Sequence, residues 1–239
     1  NYVMGAGISH RQKSGTAGPF TMTNSWILDN KINHFRANRN YGAGASLEGS
    51  QLTMNQVVVM GNEMPDNTNL GGGLSIATPG VFIGQNMLFA KNLAAYGSAF
   101  HAREGKIVLN QVTVADNEAN VRAAISLADV NIPLHVYNSI FHRNQGGVLF
   151  GVNPMTLDNQ GPITDVIFKN SITQQYDSGN AADHNLVGVD PLFVDASAGG
   201  YRLLAGSPAI NAGHNAYYTD ADKGGGDLLQ DRDLSGAAR

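Results

Sequence analysis

Short apolar segments that open on an asparagine recur along the whole chain, and no other feature restricts its possible folds as tightly. They read Asn24-Ser-Trp-Ile, Asn55-Gln-Val-Val, Asn86-Met-Leu-Phe, Asn110-Gln-Val-Thr, Asn138-Ser-Ile-Phe and Asn170-Ser-Ile-Thr. Successive asparagines lie 31, 31, 24, 28 and 32 residues apart, the range in which one repeat makes one turn of a solenoid. Two positions after each asparagine stand Trp26, Val57, Leu88, Val112, Ile140 and Ile172, with Ser, Gln or Met between. That alternation belongs to a strand with one buried face, so all six are expected to point inward.

A second asparagine follows six or seven residues later, at Asn30, Asn62, Asn92, Asn117 and Asn144. Three residues before it comes Ile27, Val59, Phe89, Val114 or Phe141; in the first coil Phe35-Arg-Ala-Asn38 fits the same signature. Small-residue clusters then lead into another strand: Gly42-Ala-Gly-Ala45, Gly71-Gly-Gly-Leu74, Gly97-Ser-Ala99, Ala123-Ala-Ile125 and Gly146-Gly-Val148, with an earlier copy at Gly5-Ala-Gly-Ile8. Aligned, they place Ala45, Leu74, Ala99, Ile125 and Val148 in one column, and Leu47, Ile76, His101, Leu127 and Phe150 two residues on. The column between, Ser46, Ser75, Phe100, Ser126 and Leu149, is expected to face outward.

Each repeat thus holds two or three short strands broken by Gly, Asn and Asp turns, and no stretch of helical period long enough to cross over a flat sheet. Strands of such coils close most simply by lying beside their counterparts in the next coil, about 4.8 Å away. The expected fold is all-β: a single-stranded, right-handed parallel β-helix over residues 1–184, with residues 185–239 forming a final coil and an irregular C-terminal capping segment. Stacked asparagine amides then satisfy one another along the axis, so a polar group can sit at a corner without an unmade bond. Leucine-rich repeats also carry a periodic asparagine, but the leucine pattern that surrounds it there is missing.

Composition narrows the function. Of 239 residues only 14% are charged, the net charge is -4, and there is no run of Lys or Arg, so neither nucleic acid nor an anionic membrane is an expected partner. Without cysteine there is no disulfide framework, thiolate nucleophile or Cys-based zinc site. No apolar run is long enough to cross a membrane. Asn1 to Gly7 have no basic and apolar leader, so any export signal is expected upstream or already removed.

Phe89-Ala-Lys-Asn92 with Gly97-Ser-Ala99, Val59-Met-Gly-Asn62 with Gly72-Gly-Leu74, and Phe141-His-Arg-Asn144 with Gly146-Gly-Val148 resemble the FxxN and GGAI-type repeats of chlamydial polymorphic outer-membrane proteins and related bacterial surface β-helices. The resemblance spans roughly residues 5 to 172; only some copies carry Phe or the double glycine. Asn185-Leu-Val-Gly-Val-Asp-Pro-Leu-Phe-Val-Asp195, Tyr201-Arg-Leu, Gly206-Ser-Pro-Ala-Ile-Asn-Ala-Gly213 and Asp233-Leu-Ser-Gly-Ala-Ala-Arg239 are similar to the C-terminal end of secreted bacterial β-helix proteins of the choice-of-anchor group. That resemblance implies export and a secreted or cell-surface location, with a segment that finishes the solenoid.

Candidate chemistry is sparse. His101, in an otherwise apolar column, is either a ligand-facing imidazole or a hydrogen-bonded core residue. Arg103 is placed over Asp129 as a cross-coil ion pair, with Glu104 beside it. Outward Tyr96 and Phe100, with Tyr41, Leu149, Tyr217 and Tyr218, suggest a strip on which sugar rings could stack, so the candidate ligand-binding set is Tyr96, Phe100, His101 and Arg103. Asp29, Asp116 and Glu118 read as turn residues or as parts of an acid/base pair. His142-Arg143, and His184 near Asp183, offer the base and cation of a lyase, although the motifs of galacturonan hydrolases with this pectin lyase-like architecture are missing. Asp220, Asp222, Asp227 and Asp231 partly match a twelve-residue calcium loop, with glycine at its fifth position and Asp at its twelfth. No cofactor is expected, calcium at this loop being the one candidate, and the alternative is an acidic turn. The expected role is a non-enzymatic exported stalk or adhesin that contacts a polysaccharide or matrix component. The rivals are a lyase or hydrolase of an extended uronic-acid polymer, and a scaffold within a longer chain.

Overall fold

A computed structural model describes residues 5–11, 18–33, 40–121, 123–128, 131–146, 157–159, 165–174 and 179–219. The chain is a parallel β-helix. One wall is a six-stranded sheet formed by Ile8–His10, Ala45–Glu48, Leu74–Ala77, Phe100–Ala102, Ile125–Leu127 and Leu157–Asn159, one strand per coil. The other two walls form a continuous parallel sheet folded along a corner. Before the corner run Val81–Gln85, Lys106–Asn110, Leu134–Tyr137 and Val166–Lys169; after it come Leu88–Ala90, Thr113–Ala115, Ile140–His142, Ile172–Thr173 and Leu186–Val187. In the first two coils Phe20–Leu28 and Leu52–Met60 pass through the corner as single nine-residue strands.

Left-handed backbone makes the corners. Asn24, Gln56, Asn86, Gln111, Asn138 and Asn170 have φ between 48° and 57°. Five residues on, Asp29, Gly61, Lys91, Asp116 and Arg143 repeat the conformation, with φ between 50° and 69°. Short polar side chains tolerate it best, which explains the asparagines; Gln, Lys and Arg at these corners are held there by the sheets on either side. The ladder asparagine then falls six residues after the first corner in every coil, without the variation between six and seven.

The strand register corrects the sequence alignment in two places. The pairing runs Trp26↔Val58↔Leu88↔Thr113↔Ile140↔Ile172. The asparagine expected to open the second and fourth copies, Asn55 and Asn110, is one residue early, and Gln56 and Gln111 are the corner residues. The residues two after the true corners therefore face outward, and Trp26 is 72% exposed, while Val57 and Val112, two of the six expected to point inward, do lie in the core beside Met87. Trp26 and Ile140 are not the inward residues the alternation implied.

The second correction concerns the six-stranded wall, where Leu74 pairs with Phe100 and Phe100 with Ile125. The positive-φ glycines Gly42, Gly71 and Gly97 each stand three residues before the strand's first inward residue, so Gly97 fixes Phe100, not Ala99, in that column. Phe100 is fully buried, Ala102 follows Leu47 and Ile76 in the inward column, and His101 joins Ser46, Ser75 and Ser126 outside.

The core is filled by Leu47, Leu52, Met54, Leu74, Ile76, Phe82, Phe89, Phe100, Leu109, Leu134 and Phe141, all buried. Burying one such side chain stabilises the fold by about 1.5–3 kcal/mol. Phe100 meets Phe89 and Phe82 at ring-centroid distances of 5.7 and 6.4 Å. Gly84 leaves room beside them: a Cβ there would sit 3.0 Å from Leu109, 3.1 Å from Met87 and 3.2 Å from Phe82.

Beyond Val187 the chain pairs Phe193–Asp195 antiparallel with Gly200–Leu203 and ends its described part in the helix Asn215–Thr219. This segment runs back along the outside of the solenoid as a strap: Lys91 Nζ donates to Ser197 O, Tyr201 reaches Asp116, and Asn110 donates to Tyr217 O at 2.7 Å.

Candidate functional site

Two surfaces gather the polar chemistry. The first is the outer face of the six-stranded sheet. Alternation along its strands places Ser46 and Glu48, Ser75 and Ala77, and His101 and Arg103 on that face in three successive coils, followed by Ser126. An outward column should be wet, yet Ser46, Ser75, His101 and Ser126 are 2%, 1%, 4% and 1% exposed.

A roof accounts for much of this. Tyr41 precedes the strand Ala45–Glu48 and Arg103 follows the strand Phe100–Ala102, and the guanidinium lies 5.2 Å from the centroid of the Tyr41 ring. Side chains from opposite ends of two strands that flank Leu74–Ala77 can meet only by lying across the face between them. Arg103 Nη2 also donates to Glu48 Oε1 at 2.7 Å, while Arg11 Nε approaches Glu48 Oε2 at 3.3 Å. Glu48 pairs in register with Ala77, and the Arg103 N–H bonds Ile76 O, so the short side chain of Ala77 lets the ion pair span a coil. Beneath the roof His101 Nδ1 lies 3.2 Å from Ser126 Oγ. Ser75 Oγ and Arg103 Nε are buried without a hydrogen-bond partner.

Of the sequence-predicted set, His101 and Arg103 share this face. Half-buried Tyr96 stands in a column with Leu70 and Tyr41 at the turn leading into it. Phe100 belongs to the core on the opposite side and offers no face to a ligand. Tyr218 is buried, and Tyr217 packs on Tyr137 at 5.1 Å, so these two do not extend an aromatic strip. Arg103 takes Glu48 as its partner; Asp129, its expected partner, and Leu149 lie outside the described residues, as do all four calcium candidates, Asp220, Asp222, Asp227 and Asp231.

The second surface is the flank under the strap. Arg143 clamps Asp116 with two bonds of 2.8 Å, Nε to Oδ1 and Nη2 to Oδ2, and Tyr201 OH donates to the same Oδ2 at 2.8 Å. Burial first, then the Asp116 hydrogen bond, push the Tyr201 phenol far above its ordinary value, so it keeps its proton and serves as a donor, not a base. Arg143 is raised chiefly by its bond to Asp116 and is neutralised there. His142 is lowered below the usual imidazole value, because burial outweighs the attraction of Asp190 at 3.7 Å, a carboxylate that is itself mostly exposed. The cluster fastens the strap: its cation and its phenol are both committed to Asp116.

A cleft of about 220 Å³ lies between strap and flank, floored by Thr113, Ile140 and Ile172. Its amide wall is already used. Asn138 donates to His214 O and accepts from His214 N, and Asn170 donates to Ala212 O. Asp29 and Asp116 stand in one corner column, but Gly61 and Lys91 intervene, a separation of about 14 Å at strand spacing and too far for an acid/base pair. Glu118 is exposed and pairs through its backbone with Leu93.

Asp190 and Tyr201 went unnoticed as site residues, because what makes them matter is docking onto residues 48 and 85 positions earlier. Among the described residues no group of three or more His, Asp or Glu could hold a metal ion, and no helix is long and apolar enough to cross a membrane. No protein-family model, no curated protein and no solved structure matches this chain.

Proposed function

We propose that this chain is an exported or cell-surface β-helix module, a non-enzymatic stalk that adheres to a polysaccharide or matrix component through its side. The observation that carries the reading is the unbroken carboxamide ladder from Asn30 through Asn62, Asn92 and Asn117 to Asn144. It ties five coils into one stiff body, the mechanical property a stalk needs. The FxxN-like and choice-of-anchor-like motifs support export. The clamped state of Arg143, Asp116 and Tyr201 supports a holding role for the charged cluster under the strap.

The test is solid-phase binding to immobilised neutral and uronic-acid polysaccharides, with chain length of the polymer followed in parallel. Saturable binding with the polymer left intact is the expected result. New unsaturated ends absorbing in the ultraviolet would replace this reading with a lyase. His142 is the specific foothold of that second reading, since a neutral imidazole beside a guanidinium is a serviceable base.

A further inference from the structure

We infer that the outer face of the six-stranded sheet is a binding site for a carboxylate-bearing sugar residue, a uronic acid, with Arg103 and Ser75 as its hydrogen-bond donors and Tyr41 as its stacking surface. The inference rests on the glycan-binding reading above and names the ligand class and the place.

Three observations carry it. Ser75 Oγ and Arg103 Nε are both buried and unbonded. Leaving such groups without partners costs free energy, so two of them on one face call for an explanation, and a ligand that bonds both supplies one. Alternation puts both residues on the outer face, one coil and two residues apart, about 8 Å between Cα atoms, the scale of one sugar ring with its carboxylate.

Charge is the second observation. Among the described residues two guanidinium groups, Arg11 and Arg103, share the one carboxylate of Glu48, an excess of positive charge there; Glu104, next in the chain, is exposed and joins no ion pair among them. A second carboxylate suits this arrangement better than a neutral ligand, and the planar guanidinium fork suits a carboxylate better than other anions of one charge.

The third is the roof. The Tyr41 ring already holds a flat cation against its face, and the Arg103 side chain is 34% exposed, so the roof can be approached from solvent. A uronic acid entering there displaces the Arg103 guanidinium from the Tyr41 ring and from Glu48, gives its carboxylate to Arg103 and a ring hydroxyl to Ser75 Oγ, and lays its apolar ring face on Tyr41. Glu48 then keeps Arg11. His101, bonded to Ser126, marks the far limit of the site.

Calorimetric titration of the full chain with D-glucuronate, glucose and acetate tests this. Glucuronate should bind saturably, glucose at least about tenfold more weakly, and acetate more weakly than glucuronate because it lacks the ring. Arg103→Gln should abolish glucuronate binding, Ser75→Ala should weaken it about three- to tenfold, and Arg103→Lys should restore only part. Melting curves of each variant confirm that the fold is kept. Unchanged glucuronate affinity in Arg103→Gln, no saturable binding by the native chain, or equal affinity for acetate overturns the site. If polysaccharide binding persists in a folded Arg103→Gln variant, the adhesive reading stands and this placement fails; if the native chain binds no polysaccharide at all, the broader reading fails first.

Discussion

The Asn117 carboxamide donates through Nδ2 to Asn144 Oδ1 at 2.9 Å, and its own Oδ1 accepts from both the side chain and the backbone N–H of Asn92 at 2.9 and 3.1 Å. The same Nδ2 also reaches Phe89 O one coil back, at 3.0 Å. The interior ladder asparagines Asn62, Asn92 and Asn117 therefore each join three coils, with both side-chain polar atoms used.

Replacing Asn117 with Ala should cost about 3 kcal/mol, because it strands the Asn92 donors and the Asn144 acceptor in a buried corner. Asn30→Ala, at the part-exposed end of the ladder, should cost about 1 kcal/mol, since water replaces the lost partner. Denaturant melts check the ranking; equal losses at the two positions would argue against a cooperative ladder.

A shorter ladder is interrupted, and filling it should stabilise. Asn40 donates to Asn69 Oδ1 at 3.0 Å, but Asn69 Nδ2 is buried without a partner. The next coil offers Ala95, aligned by the Tyr96 N–H bond to Asn69 O, and the coil after that offers Asn120, aligned by the Val121 N–H bond to Ala95 O. Ala95→Asn supplies the missing acceptor and should raise stability by about 1 kcal/mol, seen as a higher Tm.

Register predicts opposite outcomes for two large aromatics. Trp26→Ala should change stability by no more than about 0.5 kcal/mol, since the side chain is in water. Phe89→Ala, which empties a fully buried position, should cost about 3–5 kcal/mol. Equilibrium unfolding of the pair is enough, and a large loss for Trp26→Ala would restore the inward assignment.

His142 should make the strap sensitive to mild acid. Its folded pKa lies below the ordinary value of 6.5, so the native state binds its proton less readily than the unfolded chain does. The stability tied to it is whole above about pH 6.5 and is lost as pH falls through the lower folded value. His142→Gln should flatten that part of the pH profile, measured by Tm from pH 7.5 to 4.5.

Tyr201→Phe should loosen the strap and leave the solenoid intact. It removes one donor from Asp116, a loss of about 1–2 kcal/mol, discounted because the Arg143 clamp on the same carboxylate is half exposed. Hydrogen exchange should speed up for the amides of residues 200–203 and stay slow along Leu109 and Val114. At alkaline pH the raised phenol contributes stability that is present below about pH 10 and lost above it, and Tyr201→Phe removes that loss.

The repeat, the parallel stacking and the ladder asparagines were legible because each leaves a local mark: Asn at a corner and an aliphatic or aromatic side chain three residues before the ladder. Register was harder to read. Asn55-Gln56 and Asn110-Gln111 each put the better left-handed former one residue ahead of the true corner, so preference pointed at the wrong residue. Ala99 drew the alignment in the same way, by resembling Ala45, when the signal lay in the three-residue step from Gly97 to Phe100. The roof over Ser75 and the strap on Asp116 leave no local pattern, since Arg103 finds Glu48 across 55 residues and Tyr201 finds Asp116 across 85.

Paired cysteines test the stacking most directly, because the native chain has none to compete. Val58 and Leu88 are register partners on adjacent strands, about 4.8 Å apart at the backbone with side chains on the same face, within reach of a disulfide. Val57 points into the core, opposite to Leu88. Under mild oxidation the Val58→Cys/Leu88→Cys variant should cross-link completely, and Val57→Cys/Leu88→Cys should remain largely reduced. Efficient closure of the second pair, or failure of the first in a folded protein, would contradict the stacked-coil architecture described above.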